Sequence, residues 1–366
     1  MTDTKPSGSS WIGGVQPPDE LRTQSMIAIY EMECRQQPEK LAQLLRAYQD
    51  DALIRKELDT FRVMARSSGS VLFIGMGASH CSAIVGASVL QLGGRSSFAV
   101  EAGEWLHYSN TWDEAAASLL VTTSGESAEL VQLCRTGEHK PVALLCNNNH
   151  SKCWSLARTK LPILAGAEYG NATKTYTNAT AACIILASHI LERPWQNDAG
   201  RLLESYSRSL NLLFQRRNAM EEFCRGAANI EVIGRGPAHG AAIMGALCIR
   251  EMTGQRAAPH SGGGFRHGPL LDVNESHLAI IFALGKTRNL DVTLAEDCLS
   301  RGGKVILVES EERPHSERLL PISIDPVPEQ WEAITSVLVP QALTLAISER
   351  FGARLSPRFR YGEMKE

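Results

Sequence analysis

The sequence predicts an α/β protein built from two tandem copies of one domain, each a parallel sheet flanked by helices. One observation is an internal repeat: residues 71–87 (VLFIGMGASHCSAIVGA) and 230–246 (IEVIGRGPAHGAAIMGA) are identical at eight of seventeen positions and lie 159 residues apart. The other is the alternation of short apolar runs with helical stretches, which is typical of βαβ units. Together they predict a doubled, three-layered, flavodoxin-like sandwich.

The predicted elements follow the chain in order. A helical stretch runs from about residue 23 to 66, with a break expected at Pro38 because proline removes a helix hydrogen bond. Strands are predicted at 71–74, 97–100, 118–122, 142–145 and 161–164 in the first copy, and at 230–233, 278–283 and 304–308 in the second. The division that follows is a flexible arm at 1–22, a first domain with its leading helices at 23–215, a second domain at 216–350, and a tail at 351–366 that covers the active site.

The charge balance, the apolar runs and the cysteine spacing argue against several classes of protein. The 366 residues carry 37 Lys and Arg against 40 Asp and Glu, so the basic excess of a nucleic-acid binder is missing. No run of 18 apolar residues occurs and the first twenty residues lack a signal-peptide pattern, so we expect a cytoplasmic protein without a membrane partner. The nine cysteines are scattered and never spaced C-x-x-C, which predicts reduced core thiols.

Each repeat ends its first strand in Gly-x-Gly and enters a helix. Gly77 and Gly236 therefore begin helices whose free backbone N–H groups attract anions. His80 and His239 occupy the third glycine position of a dinucleotide motif, which disfavours a nucleotide. The alternative is that the glycines only permit a tight turn.

A second helix start, Thr122-Thr123-Ser124-Gly125-Glu126-Ser127, crowds four hydroxyls into six residues. Such a loop can cradle a phosphate, although Thr123 and Glu126 also have the spacing of a capping box. The corresponding segment of the second copy, 284–288, has lost the cluster. This asymmetry predicts that only the first domain holds a phosphate.

Glu251 and His267 are the candidate catalytic residues. Ile243, Leu247 and Glu251 are four residues apart, so the carboxylate shares an apolar helix face close to Gly254. Burial and the helix dipole should both raise its pKa toward that of a general base, unless it is a solvated helix-end residue. His267 lies in a glycine-rich segment expected to be a loop. We find no metal-binding signature and expect no cofactor.

With these residues in hand, the chain resembles the tandem sugar-isomerase (SIS) domain family, which includes the isomerase half of glucosamine-6-phosphate synthase. Residues 123–127 resemble its Q-S-G-E-T motif, and Glu251 with 265–269 resembles its E…L-K-H-G-P pair at the same spacing of sixteen. The opening at 33–38 is similar to E-I-x-E-Q-P, and residues 168–175 resemble E-x-x-V-A-S-T-K-A with one residue missing.

The resemblance implies roles for individual residues. Glu251 would move a proton between C1 and C2, and His267, which comes from the neighbouring subunit in the synthase, would open the sugar ring, so a homodimer is implied. The implied phosphate ligands are Ser79, Thr122, Thr123, Ser124 and Ser127, and the implied substrate-binding residues are Gly77, Gly125, Glu168, Lys174 and Gly236.

Departures from the synthase point to a related reaction. Gly264 replaces a family glutamate, and no glutaminase domain precedes the repeat. The tail is similar to the R-R-Y-x-x-K endings of fructosamine-6-phosphate deglycases, which makes Lys365 a third catalytic candidate.

Three hypotheses follow. The first is a deglycase that releases hexose 6-phosphate and an amine from a 6-phosphorylated fructosamine. The second is an amino-sugar-6-phosphate deaminase or aldose–ketose isomerase. The third is a non-catalytic phosphosugar sensor, which would need the hydroxyl loop but neither Glu251 nor His267.

Overall fold

The computed structural model describes residues 25–109, 116–136, 140 and 142–353. The arm at 1–22 and most of the tail, including Lys365, lie outside these residues. The described chain contains two five-stranded parallel sheets. The strands are β1 (Ser70–Gly75), β2 (Ser97–Glu101), β3 (Ala116–Thr122), β4 (Val142–Cys146) and β5 (Thr159–Pro162), then β6 (Asn229–Gly234), β7 (Ala257–Ser261), β8 (His277–Phe282), β9 (Lys304–Glu309) and β10 (Leu319–Ser323).

Helices surround both sheets. In chain order they are α1 (Met26–Asp50), α2 (Ala52–Ser67), α3 (Ala78–Leu92), α4 (Ala102–Tyr108), α5 (Ala128–Thr136), α6 (Lys152–Leu156), α7 (Lys174–Ile190), α8 (Gln196–Cys224), α9 (Pro237–Thr253), α10 (Gly262–Arg266), α11 (Arg288–Ser300), α12 (Glu332–Ser336) and α13 (Leu338–Phe351). Short 3-10 turns lie at Pro269–Asp272, Gly285–Thr287 and Glu329–Trp331.

The two sheets have the same strand order. The first is β2-β1-β3-β4-β5 and the second, written in the same direction, is β7-β6-β8-β9-β10. This is the flavodoxin-like order. In such sheets ligands bind at the carboxyl ends of the strands, where the connections after two neighbouring strands go to opposite faces of the sheet. The predicted fold class is confirmed, and the repeat at 71–87 and 230–246 contains the first strand of each sheet in chain order and most of the helix that follows it.

Two strands were not predicted, and both are sheet edges that contain a proline. Pro259 of β7 pairs only with β6, and Pro321 of β10 pairs only with β9. An edge strand tolerates proline because one side of its backbone needs no hydrogen-bond partner. The predicted strand at 161–164 is displaced to Thr159–Pro162, since Leu164 has a left-handed φ of 58° that ends the extended chain.

Pro38 does not break the first helix, contrary to the prediction. Pro38 has no backbone N–H to donate to the Cys34 carbonyl. The side-chain Nε2 of Gln37 donates to this carbonyl instead, at 3.1 Å. Nε2 also donates to Oε1 of Gln341 at 3.0 Å, and the Thr177 hydroxyl donates to Oε1 of Gln37 at 2.7 Å. The helix therefore continues to Asp50, and its free carbonyl is satisfied by a buried network that ties both halves of the chain together.

The first helices of the two repeats, α3 and α9, pack against each other and run in opposite directions. Gly240, near the start of α9, lies so close to α3 that an added Cβ would be 2.6 Å from Val85 Cγ2 and 2.7 Å from the Cys81 carbonyl oxygen. At the other end, Cys248 and Glu251 of α9 lie within electrostatic range of Cys81. The end of α9 therefore meets the beginning of α3.

The stretch Glu329–Phe351 has the length and apolar composition of a membrane-spanning helix, but its 18-residue apolar window is completely buried inside the fold. Leu338, Leu343 and Leu345 of α13 have no exposed surface. The segment is a core helix in this structure.

We expect Gln37→Ala to lower the free energy of unfolding by about 2–4 kcal/mol, because it removes the partners of the Cys34 carbonyl and the Gln341 amide in the interior and leaves the Thr177 hydroxyl with Tyr206 alone. Urea unfolding followed by circular dichroism measures this. Gln43→Ala, at an exposed position of the same helix, should change stability by less than about 0.5 kcal/mol. Equal effects of the two substitutions would contradict a structural role for the network.

Candidate functional site

The Gly-x-Gly turn after β1 presents an uncapped helix start. Gly77 has a φ of 52°, which favours glycine, and no side chain caps α3. Gly75 is also required, since its added Cβ would lie 2.8 Å from the backbone of Ser79. The first N–H groups of α3 and the buried Ser79 hydroxyl are thus placed together at the carboxyl edge of the sheet.

The hydroxyl-rich 122–127 loop lies beside this turn, because β3 pairs with β1 and ends next to it. Two of its hydroxyls organise the loop: Thr122 Oγ1 accepts from the Gly125 N–H at 3.1 Å, and Ser124 Oγ accepts from the Glu126 N–H at 3.3 Å. Gly125 has a φ of 66°, and an added Cβ would be 2.1 Å from Ser151 Oγ. The loop therefore has one defined shape and packs on Ser151.

The expected capping box is not the role of Glu126. Its Oε1 accepts from the Lys152 N–H at 3.0 Å, and its Oε2 lies 3.3 Å from the Lys152 ammonium. The carboxylate thus ties the loop to the start of α6. Ser127 remains half-buried at the entry to α5.

Glu251 lies in the last turn of α9, before Gly254 closes the helix with a φ of 68°. Ile243, Leu247 and Glu251 share a face, as predicted, but this face is half-buried, while the fully buried face carries Met244 and Cys248. Burial raises the pKa of the Cys81 thiol to about 12, and the nearby Glu251 carboxylate adds to the rise. Cys81 is the fourth residue of α3, so Glu251 lies within electrostatic range of the first turn of that helix.

Glu168 and Lys174 are engaged within the protein. Glu168 Oε1 accepts from the Thr173 N–H at 2.9 Å and from the Thr175 N–H at 3.2 Å, so the carboxylate caps α7. The Lys174 ammonium donates to Gln36 Oε1 at 2.6 Å and is buried. Their observed contacts shape the 164–173 loop beside the site.

That loop docks onto α9 close to Glu251. Asn171 Nδ2 donates to the Cys248 carbonyl at 3.1 Å, three residues before Glu251. Cys248 Sγ in turn lies 3.9 Å from the Ala172 carbonyl oxygen. The first domain thus supplies a loop that fixes the end of the helix carrying Glu251.

Glu33 is a buried acid that sequence reasoning did not place in the site. Its Oε1 accepts from the Tyr169 N–H at 2.5 Å and its Oε2 from the Gly170 N–H at 3.2 Å, which holds the same loop from α1. Burial raises the pKa of Glu33 to about 8, with the nearby Glu168 carboxylate contributing. The signal was available: Glu33 falls in the apolar stripe formed by Ile29, Tyr30 and Cys34.

Gly236 is not brought to this site. It begins α9, and fifteen residues of helix place it about 22 Å from Glu251. His267 is exposed and follows α10, which itself follows β7 at the edge of the second sheet. The segment around His267 is thus partly β7 and α10 rather than the expected loop.

His80 and His239 have matching structural roles. Each is largely buried and lies near the backbone of the neighbouring strand segment, His80 near Val100 and His239 near His260. Burial lowers the pKa of both imidazoles, which favours their neutral form. They recur because each anchors a helix start to its sheet.

All nine cysteines are free and buried. Within the described residues no group of three or more His, Cys, Asp and Glu side chains is arranged to hold a metal ion. The groups placed near the first sheet edge include the hydroxyls of Ser79 and of the 122–127 loop. We refer to Ser79, the 122–127 loop and Glu251 as the first site.

This combination defines a class of protein: a doubled parallel α/β fold in which each copy begins a helix at an uncapped Gly-x-Gly turn. The chain belongs to the SIS domain family, which it matches twice, over residues 64–188 and 225–347. The predicted family is thereby confirmed.

Two relatives are the isomerizing glutamine–fructose-6-phosphate aminotransferases of Pyrococcus horikoshii and Zymomonas mobilis. Each is 28% identical to this chain, over 285 and 256 residues respectively. The matches cover 75% and 66% of this chain but 48% and 42% of the relatives. The chain thus corresponds to about half the length of these proteins.

Solved structures show the same fold. The C-terminal domain of glucosamine-fructose-6-phosphate aminotransferase from Francisella tularensis superposes with a TM-score of 0.80 at 17% identity, covering 92% of this chain and 99% of that one. Tagatose-6-phosphate ketose/aldose isomerase from Escherichia coli gives 0.73 at 18% identity, covering 95% and 98%. The family and these matches support an isomerase-type enzyme.

The raised pKa of Glu33 gives a testable pH dependence. The folded protein holds this proton up to about pH 8 against a usual value of 4.5, so the contribution of Glu33 to stability falls as pH rises through that interval, by at most about 1.4 kcal/mol per unit. Glu33→Gln should therefore flatten the decline in unfolding free energy between about pH 4.5 and 8. Denaturant titrations at several pH values measure it.

The exposed Glu39→Gln on the same helix is the matched control and should leave the pH profile unchanged. The pKa of Glu332 is also raised to about 8, so this residue contributes to the pH dependence over the same interval. The measurement therefore compares the slope of unfolding free energy against pH between the two variants and the wild type. An unaltered slope in Glu33→Gln would contradict the assignment.

Proposed function

We propose that this chain is a phosphosugar enzyme that cleaves 6-phosphorylated fructosamines to hexose 6-phosphate and a free amine. The observation that supports the proposal is that Glu251 lies within electrostatic range of Cys81 in the first turn of α3, a helix that starts next to the 122–127 loop. A phosphate bound by these hydroxyls and amides would leave the other end of a hexose free to reach the carboxylate.

The proposed reaction is a proton shift followed by hydrolysis. After ring opening, the substrate has an amine on C1 and a ketone at C2. Glu251 removes a proton from C1 and returns one to C2, which converts the C1–N bond into an imine. Water adds to C1 and the C–N bond breaks, which yields the aldehyde of the hexose 6-phosphate and the amine.

Ring opening is assigned to His267 of a neighbouring subunit in a homodimer. Its exposed position after α10, outside the first site of its own chain, supports this assignment. Lys365 lies outside the described residues and remains a candidate from its sequence position. We also propose a cytoplasmic location, since nine free, buried thiols suit a reducing compartment.

A second candidate is an amino-sugar-6-phosphate deaminase or aldose–ketose isomerase. The relatives named above are isomerizing aminotransferases, and the proton shift assigned to Glu251 serves either reaction. Incubation with 6-phosphorylated fructosamines, amino-sugar 6-phosphates and hexose 6-phosphates, scored for amine release and for ketose–aldose conversion, separates them. Binding without turnover of any of these would instead favour the sensor hypothesis.

The double variant Ser124→Ala, Ser127→Ala should weaken binding of a hexose 6-phosphate about 10- to 100-fold, because each hydrogen bond to a charged group contributes about 1.5 kcal/mol or somewhat less. Isothermal titration calorimetry measures it. Thr287→Ala, at the corresponding turn of the second domain, is the matched control and should leave affinity unchanged. The opposite pattern would exclude the first domain as the phosphate site.

Glu251→Gln keeps the size of the side chain but removes its basicity, so kcat on the best substrate should fall about 10²–10⁴-fold with binding largely kept. His267→Ala should impair turnover of the cyclic substrate more than that of an open-chain analogue. Mixing the two inactive variants should restore partial activity, since a hybrid dimer contains one complete site. Near wild-type turnover by Glu251→Gln would rule out the proton-transfer role.

A further inference from the structure

A separate cavity of about 310 Å³ lies at the carboxyl edge of the second sheet. Its walls come from the Gly-x-Gly turn before α9, the turn after β8, the segment Glu329–Glu332 and the last turn of α3. Neither Glu251 nor the 122–127 loop lines it. The cavity is within the size range of small-molecule sites.

This cavity is the counterpart of the first site under the internal repeat. Gly236 corresponds to Gly77, and the offset of 159 residues also pairs Ala238 with Ser79. The same offset places Leu92 at the position of Glu251, and Leu92 and Ala238 both line the cavity. The second cavity therefore has Ala238 where the first site has Ser79, and Leu92, from the first copy, where the first site has Glu251.

One wall of the cavity suits an anion. Gly236 begins α9 with no side-chain cap, so the positive end of the helix dipole and the Ala238 N–H lie at this edge, Pro237 having no N–H. Two cationic side chains, Arg235 and Lys286, line the same space. Arg235 is fixed there because its Nε donates to the buried Asp291 at 2.7 Å.

The opposite wall suits a cation. Glu332 is only 8% exposed and lies with Glu329 in the cavity wall. Burial raises the pKa of Glu332 to about 8, and Glu329 and Asp291 add to the rise, while the Gly285 N–H lowers it. The Lys286 ammonium is 4.0 Å from Glu329 Oε1, at the limit of an ion pair. An ammonium group between the two glutamates would favour the ionised form of Glu332 and add a nearer cation to Glu329.

We propose that this cavity binds a free α-amino acid, with its carboxylate at the start of α9 near Arg235 and its ammonium between Glu329 and Glu332. A ligand with both charges matches both walls, whereas a phosphate alone would leave the two glutamates uncompensated. This second site has no catalytic carboxylate and is independent of the proposed phosphosugar chemistry.

Differential scanning fluorimetry and calorimetry of the full chain against the twenty common L-amino acids test the proposal. At least one amino acid should bind with a Kd of about 1 mM or below, and its decarboxylated amine and its deaminated acid should each bind at least tenfold more weakly. Inorganic phosphate should bind more weakly than the amino acid at this site. Absence of binding by every amino acid at about 10 mM would overturn the proposal.

Variants locate the binding. Glu332→Gln preserves size and should weaken the amino acid at least tenfold, and Leu92→Trp should abolish binding by filling the space. Two control variants should leave the affinity for the amino acid unchanged. They are Glu317→Gln, at an exposed position of the same domain, and Ser124→Ala in the first site. If Ser124→Ala removes binding while Glu332→Gln keeps it, the amino acid occupies the first site and the proposal is wrong.

Melting temperatures without ligand show whether Glu332→Gln and Leu92→Trp are folded. Hexose 6-phosphate affinity should remain at the wild-type value in Glu332→Gln, so the outcome does not depend on the function proposed for the first site. Loss of both ligands in a fully folded Glu332→Gln protein would contradict two independent sites.

Discussion

The antiparallel contact of α3 and α9 determines where both sites lie. It requires Gly240, because any side chain there would collide with Val85 and with the Cys81 carbonyl. Since the helices run in opposite directions, the start of each lies beside the end of the other. The end of α9 brings Glu251 to the start of α3, and the end of α3 brings Leu92 to the start of α9.

Duplication thus produced two related sites whose chemistry has diverged. At the first, hydroxyls and a carboxylate face an uncapped helix start, while at the second these are replaced by Ala238 and Leu92. Each site is bordered by one buried acid with a pKa raised to about 8, Glu33 beside the 164–173 loop and Glu332 in the cavity. In both places burial is the largest cause, so the fold tolerates carboxyl groups that are predominantly neutral near pH 7.

Most of the fold was predictable from the sequence because it depends on local signals. The internal repeat and the apolar strands gave the doubled α/β architecture, and the glycines gave both helix starts. Edge strands β7 and β10 were not predictable, since edge positions need neither an apolar run nor a complete hydrogen-bond pattern. The continuation of α1 through Pro38 depends on Gln341 and Thr177, which are distant in sequence.

The positions of candidate site residues could be predicted where they follow directly after a strand. They could not be predicted where they depend on the packing of distant segments. Ser79 and the 122–127 loop come directly after the adjacent parallel strands β1 and β3, so their proximity follows from topology. The separation of Gly236 from Glu251 follows from the length of one helix, whereas the second cavity requires four segments to meet. The capping of α7 by Glu168 also arises from the folded loop rather than from spacing alone.

We propose that the two sheet edges, although related by the repeat, hold different ligands. A crystal structure of the protein with a hexose 6-phosphate tests this most directly. We expect phosphate density at Ser79, Ser124 and Ser127, with the sugar carbons directed toward Glu251 and no phosphate at Arg235 and Lys286. Phosphate in the cavity of the second domain, with the first edge empty, would contradict it.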